Sequence, residues 1–192
     1  MIYRDFGPLR MLAAVNKYRL IYADPPWAFR DKSNAGKRGA AHKYSTMGYR
    51  EIARLPIPEI VDPVGCLLAM WWVPTQDREA RYVAEAWGFK VRTMFGFVWT
   101  KRAANGRYAW GMGNYTRANA EACLIATIGR VPRASAAVHS VIDAPRGAHS
   151  AKPPETRSRL VQLVGDVSRI ELFARQDISG WDVLGDEIGG AP

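Results

Sequence analysis

The stretch Tyr18-Arg-Leu-Ile-Tyr-Ala-Asp-Pro-Pro-Trp27 decides how this chain is read. Residues 19–23 form a short apolar run, and two consecutive prolines cut it off. Proline lacks a backbone N–H and fixes φ, so it cannot continue a sheet ladder. The run predicts a buried strand that ends at Asp24 and delivers Asp24 to Trp27 to the carboxyl end of a sheet.

Working outward, Gly65 to Trp72 is continuously apolar and predicts a strand buried on both faces. Residues 95–100, 122–127, 169–174 and 181–184 read as further strands. Helices are predicted over 49–55, closed by Pro56, and over 76–87, with Thr75 as its cap and Gly88 as its stop. A third follows Pro154 to about Val164 and ends at Gly165. Residues 30–43 and 101–118 lack periodicity and are rich in turn formers, so both read as loops, the first a mobile one. Strands alternating with helices predict an α/β fold: a mostly parallel central sheet with helices on both faces. With 192 residues, no repeat and no linker, the expectation is a single domain over residues 1–192. In such sheets ligands bind beyond the carboxyl ends of the strands. The residues that follow strands then become the candidates: Asp24 to Trp27, Val73 to Thr75, Lys101, Arg175 to Asp177, and Asp186 with Glu187.

Composition narrows the partner. Hydrophobic residues make up 48% and charged residues 23%, which excludes a disordered or fibrous chain. No apolar run is long enough for a membrane span, and the first residues lack a signal-peptide core, so no membrane association is expected. Cys66 and Cys123 both sit in apolar runs and read as reduced core thiols of a cytoplasmic protein. The net charge of +9 is unevenly spread. Segments 28–48, 101–118 and 129–159 together carry +12, and the remainder carries −3. A near-neutral scaffold with basic connections suits a polyanion such as nucleic acid. Tyr44, Tyr108, Trp110 and Tyr115 lie within or beside these segments and could stack on bases. His42, His139 and His149 show no metal-ligand spacing, so no metal is expected.

Asp24-Pro25-Pro26-Trp27 carries the chemistry. The proline carbonyls are expected to remain available as rigid acceptors, Asp24 accepts when ionised, and Trp27 offers a flat face. A planar aromatic amine such as that of adenine suits two fixed acceptors and a stacking surface. Its lone pair is conjugated into the ring and is a poor nucleophile. Accepting its hydrogens at the Asp24 carboxylate and the Pro25 carbonyl draws the nitrogen toward a tetrahedral, nucleophilic form.

The stretch 18–27 also resembles the signature of the DPPW adenine N6-methyltransferase family, the MTA-type family. That family includes bacterial and phage DNA methyltransferase-like proteins and the catalytic subunit of the eukaryotic mRNA adenine methyltransferase. Further blocks match in the same order: His42 to Met47, Glu51-Ile52, Leu55-Pro56, Ala86 to Phe89, and Val98 to Lys101. Gly111 to Arg117 with Glu121, His149 to Glu155, Glu171 to Arg175 and Gly180 to Glu187 complete the series. The likeness spans roughly residues 18–188.

The resemblance implies a Rossmann-like methyltransferase fold in permuted order, with the catalytic motif ahead of the cofactor motifs. It implies S-adenosyl-L-methionine as cofactor and methyl transfer to the exocyclic amino group of adenine, in DNA before RNA. Asp24, Pro25, Pro26 and Trp27 would be catalytic. Ala23, Lys152, Glu171, Arg175, Gln176, Asp186 and Glu187 would hold the cofactor, Lys152 as the partner of the methionine carboxylate. Gln176-Asp177 and Asp186-Glu187 depart from pairs common in relatives. Lys37, Arg38, Lys43, Tyr44, Lys101, Tyr108, Tyr115 and Arg117 would contact nucleic acid. A compact chain of this kind fits a phage or bacterial origin and the host cytoplasm. It leaves target reading to its loops, a homodimer or a second subunit. The competing reading is a non-catalytic nucleic-acid-binding subunit, since fold alone does not fix function.

Overall fold

The computed structural model describes residues 7–28, 46–111, 115–147, 151–186 and 188. Seven strands form one sheet: β1 (Leu20–Ala23), β2 (Gly65–Trp72), β3 (Lys90–Arg102), β4 (Ala120–Gly129), β5 (Val141–Pro145), β6 (Arg169–Leu172) and β7 (Asp182–Leu184). Their spatial order is β5-β3-β4-β2-β1-β6-β7. The helices are α1 (Gly7–Val15), α2 (Tyr49–Ala53), α3 (Asp77–Ala86) and α4 (Glu155–Val164).

β1 pairs in parallel with β2 on one side and β6 on the other, and β6 pairs in parallel with β7. β3 and β5 are also parallel. Only β4 runs against its neighbours β2 and β3. This mostly parallel sheet agrees with the expected Rossmann-like methyltransferase fold. From β1 the chain crosses to β2 on one side, while β6 lies on the other. The β1–β6 seam is therefore the switch point at whose carboxyl end such sheets open a crevice.

Burial explains the central strands. Every residue of β1 and β2 is buried, so both faces of these strands must be apolar. One face packs against α2 and α3 through Ile52, Ala80, Val83 and Trp87. The other packs against α4 through Leu160 and Val164, with Tyr22, Trp71 and Trp99 beneath it. Alternation along β1 thus sends Tyr22 toward α4 and Ala23 toward α2 and α3.

Some boundaries differ from the sequence reading. β3 begins at Lys90, five residues before the expected strand, and reaches Arg102 through two register shifts against β4. Those bulges break the period-2 signal over its first half. β5 lies inside a segment read as a connection, because its edge position leaves it half exposed and without a continuous apolar run. α1 was not expected. Thr75 does not cap α3: residues 74–76 form a 3-10 turn, and Gln76 occupies the cap position without a side-chain capping hydrogen bond. Gly165 closes α4 as expected, at φ 87°, a conformation that favours glycine. The loop read over 30–43 lies wholly outside the described residues.

Candidate active site

The carboxyl end of β1 begins the site. Asp24 follows Tyr22 by two residues, on the α4 side of the sheet. Lys152, three residues ahead of α4, donates from Nζ to Asp24 Oδ2 at 2.7 Å. The same ammonium lies 3.3 Å from Glu121 Oε2, and Lys101 Nζ donates to Glu121 Oε1. Asp24, Lys152, Glu121 and Lys101 thus form a chain of alternating charge across β1, the α4 lead-in, β4 and β3. Lys152 is only 11% exposed at its side chain, and its ammonium also lies over the Trp71 ring, 5.6 Å from its centroid.

The electrostatics follow from this packing. Burial works against a charged Lys152, but the carboxylates of Asp24 and Glu121 outweigh it and hold the ammonium protonated above its ordinary range. Burial likewise works against a charged Glu121, and Lys152 and Lys101 outweigh it, holding the carboxyl below its ordinary value. Burial, aided by the Asp24 charge, raises the Cys123 thiol well above its usual value and keeps it inert.

Prolines 25 and 26 act differently from the expectation. Their carbonyls are already engaged: Pro25 accepts from the Trp27 N–H at 2.9 Å, a three-residue turn, and Pro26 accepts from the Met47 N–H at 2.8 Å. A carbonyl has two lone pairs, so the Pro25 oxygen keeps capacity for one further donor. Trp27 is also not an open stacking face. It is 5% exposed within the core, and its Nε1 donates to the Trp71 carbonyl at 3.0 Å. The indole locks the turn that presents Asp24. Gln76 closes the other side of the turn, donating from Nε2 to the Ala28 carbonyl at 2.6 Å.

Apart from Lys152, the described residues expected to hold a cofactor lie on or just beyond β1, β6 and β7, in different states. Ala23 is fully buried in the core, so the structure leaves it no exposed surface to offer a cofactor. Both Glu171 carboxylate oxygens are taken by Arg157, at 2.5 and 2.8 Å, in a pair whose side chains are 8% and 15% exposed. Arg157 also lies over the Tyr22 ring, and Tyr22 Oη accepts from Trp71 Nε1 at 2.6 Å. Arg175 is half-buried beyond β6, Gln176 is exposed there, and Asp186 is exposed beyond β7. Phe173, the residue after β6, adopts φ 61°, a left-handed conformation that costs a bulky side chain roughly 1–3 kcal/mol. At the end of β7, a Cβ on Gly185 would fall 1.7 Å from the Ala174 carbonyl oxygen, so only glycine lets the two strand ends approach this closely.

Among the residues expected to meet nucleic acid, Lys101 belongs to the charge chain. Tyr108 and Tyr115 are exposed, as is Arg117. Lys37, Arg38, Lys43, Tyr44 and Glu187 lie outside the described residues. Sequence reasoning passed over Glu121 and Arg157 as site residues. Glu121 lies near the start of a strand, where a parallel sheet places no ligand; β4 is antiparallel, so its start lies at the carboxyl face. Arg157 falls inside a helix, where an arginine ordinarily reads as a solvated charge.

Comparison with known proteins identifies the family. The MT-A70 family model aligns with residues 18–187. The type II methyltransferase M.MunI from a Mycoplasma species is 32% identical over 190 residues, covering 90% of this chain and 78% of that protein. The human N(6)-adenine-specific methyltransferase METTL4 is 24% identical over 89% of this chain, which spans 37% of that protein. The Arabidopsis thaliana N(6)-adenosine-methyltransferase MT-A70-like is 25% identical over 90% of this chain and 24% of its own length. With the family model matching residues 18–187 and a relative 32% identical over 78% of its own length, the chain belongs to the MT-A70 family of methyltransferases.

Proposed function

We propose that this chain transfers a methyl group from S-adenosylmethionine to the exocyclic amino group of adenine in DNA. The observation that supports this most strongly is the Asp24 carboxylate, held at the switch-point crevice by a buried lysine and a rigid Pro-Pro turn. The donor set suits the cofactor. Lys152 is a point charge able to accept a carboxylate, Asp24 and Glu121 complement cationic centres, and Arg175 and Asp186 supply polar groups beyond β6 and β7. When bound, S-adenosylmethionine supplies an electrophilic methyl on a sulfonium, which leaves as a neutral thioether.

The chain's own residues prepare the nucleophile. Asp24 accepts one hydrogen of the amine, and the second acceptor is the remaining lone pair of the Pro25 carbonyl. Two acceptors fixed in this way pull the lone pair out of conjugation and carry the charge that develops as nitrogen is alkylated. Lys152 fixes the Asp24 carboxylate in place. Trp27 and Gln76 hold the turn, so little reorganisation is needed at the moment of transfer. The basic segments steer a polyanion toward this end of the sheet. Duplex DNA would have to present the adenine flipped out of its stack.

The test is methyl transfer from labelled S-adenosylmethionine to adenine-containing DNA and RNA oligonucleotides. Transfer to DNA adenine, lost in a folded Asp24→Asn variant, supports the reading. Preferential transfer to RNA would move the substrate, and binding without transfer to either would favour a non-catalytic subunit.

A further inference from the structure

The end of β3 carries a second structured surface that the methyl-transfer chemistry does not use. After Arg102 the chain turns through residues 103–107 and comes back, with Tyr108 bridging Arg102 in antiparallel fashion. The Ala103 N–H donates to the Arg107 carbonyl at 2.8 Å, and the Ala109 N–H donates to the Lys101 carbonyl at 2.8 Å. Ala109 is buried, while Tyr108 and Trp110 on either side of it are 46% and 61% exposed. This alternation puts both rings on the outer side of one extended segment. Their centroids are 6.0 Å apart at an interplanar angle of 58°.

Exposed aromatics on a loop normally move. Here the base of the turn is braced. Arg102 donates to both Asp143 oxygens, at 2.7 and 2.6 Å, and to the Gly106 carbonyl at 3.1 Å. Its guanidinium sits 4.0 Å from the Tyr108 centroid, covering one face of that ring. The Asp143 charge is thereby paired, and residues 101–118 contain no acid. The platform stands at the same end of the sheet as Asp24, because β3 runs in the direction of β1. It connects to Asp24 through Lys101, Glu121 and Lys152.

We infer that Trp110, braced by Tyr108 and the Arg102–Asp143 pair, is a stacking site for one unpaired nucleobase beside the target adenine, so that the chain binds single-stranded DNA in preference to intact duplex. The inference rests on the nucleic-acid reading above. A flat, exposed ring in a surround whose acids are paired to Arg102 and Lys101 fits the π-face of a base attached to a phosphate chain. A paired base inside a duplex keeps its faces stacked on its neighbours and has none to offer.

The experiment measures anisotropy of a labelled 12-nucleotide single strand with one central adenine, and of its blunt duplex, with methyl transfer read on the same oligonucleotides. Trp110→Ala is expected to weaken single-strand binding on the order of 5- to 100-fold, the range for loss of one base–aromatic stack, and Trp110→Phe to restore most of it. Placing an abasic site next to the adenine, at the base that stacks, should weaken wild type and cost Trp110→Ala nothing further. Less than a twofold effect of Trp110→Ala, equal losses on single strand and duplex, or an additive abasic effect at every position would overturn the stacking site. Those results alongside retained adenine methylation refute the platform alone. Absence of methylation on every oligonucleotide instead refutes the reading on which it rests.

Discussion

Replacing Arg157 with methionine tests the electrostatic reasoning where it is sharpest. Arg157 binds both oxygens of Glu171, and the two side chains are 15% and 8% exposed. Removing the cation leaves an ionised carboxylate between β6 and α4, with Arg157's bulk replaced but its charge gone. Breaking a buried pair in this way costs about 3–5 kcal/mol, mostly the penalty of the stranded partner. For a chain of this length each kcal/mol moves Tm by roughly 2–4 °C, so a drop of about 6–20 °C is expected. The assay is thermal unfolding followed by circular dichroism, with Arg157→Met, Glu171→Leu and the Arg157→Met/Glu171→Leu pair in one cycle. The double variant should recover most of the stability, because an apolar pair strands no charge. A loss below about 1 kcal/mol in Arg157→Met, or a double variant no better than the single, would refute the claim that Glu171 depends on this partner.

Other expectations follow from the same contacts. Lys152→Met strands Asp24 and leaves Glu121 with Lys101 alone; both carboxylates are partly exposed, so the stability loss should sit near or below the low end of the buried-pair range, about 2–3 kcal/mol, while methyl transfer falls far more than stability does. Trp27→Phe removes the donor to the buried Trp71 carbonyl and should cost about 1–3 kcal/mol in denaturant unfolding. Glu121 has its pKa held below the ordinary value. Its stabilisation is therefore fully present above the unfolded glutamate pKa and lost as pH falls through the lowered one. A Glu121→Gln variant should accordingly show a shallower loss of Tm than wild type across that acid range, and equal slopes would count against the charge chain.

The central strands were legible because complete burial writes continuous apolar runs, as in Leu20 to Ala23 and Gly65 to Trp72. Asp24 was legible because two prolines end its strand in a way few other residues can. What the letters could not carry was partnership. The same pattern that marks Asp24 says nothing of Lys152, which is 128 residues away in the chain yet 2.7 Å away in space. Glu121 was hidden by strand direction, since nothing local distinguishes the start of an antiparallel strand from the start of a parallel one. Trp27 shows the reverse failure. Its size suggested a stacking face, but a tryptophan beside an apolar strand is more cheaply buried, with its N–H given to a carbonyl. β5 escaped notice because an edge strand needs no apolar face on its open side.

The most direct test of the account is the fate of the amine hydrogens at Asp24. An adenine-containing oligonucleotide is incubated with labelled S-adenosylmethionine and the purified chain, then digested, and N6-methyladenine is measured by mass spectrometry. Wild type is predicted to form it. Asp24→Asn, which keeps the shape but weakens the acceptor and its hold on Lys152, is predicted to lose about 100- to 1000-fold in single-turnover rate with an unchanged circular dichroism spectrum. Methylation of adenine by Asp24→Asn at the wild-type rate would contradict the account.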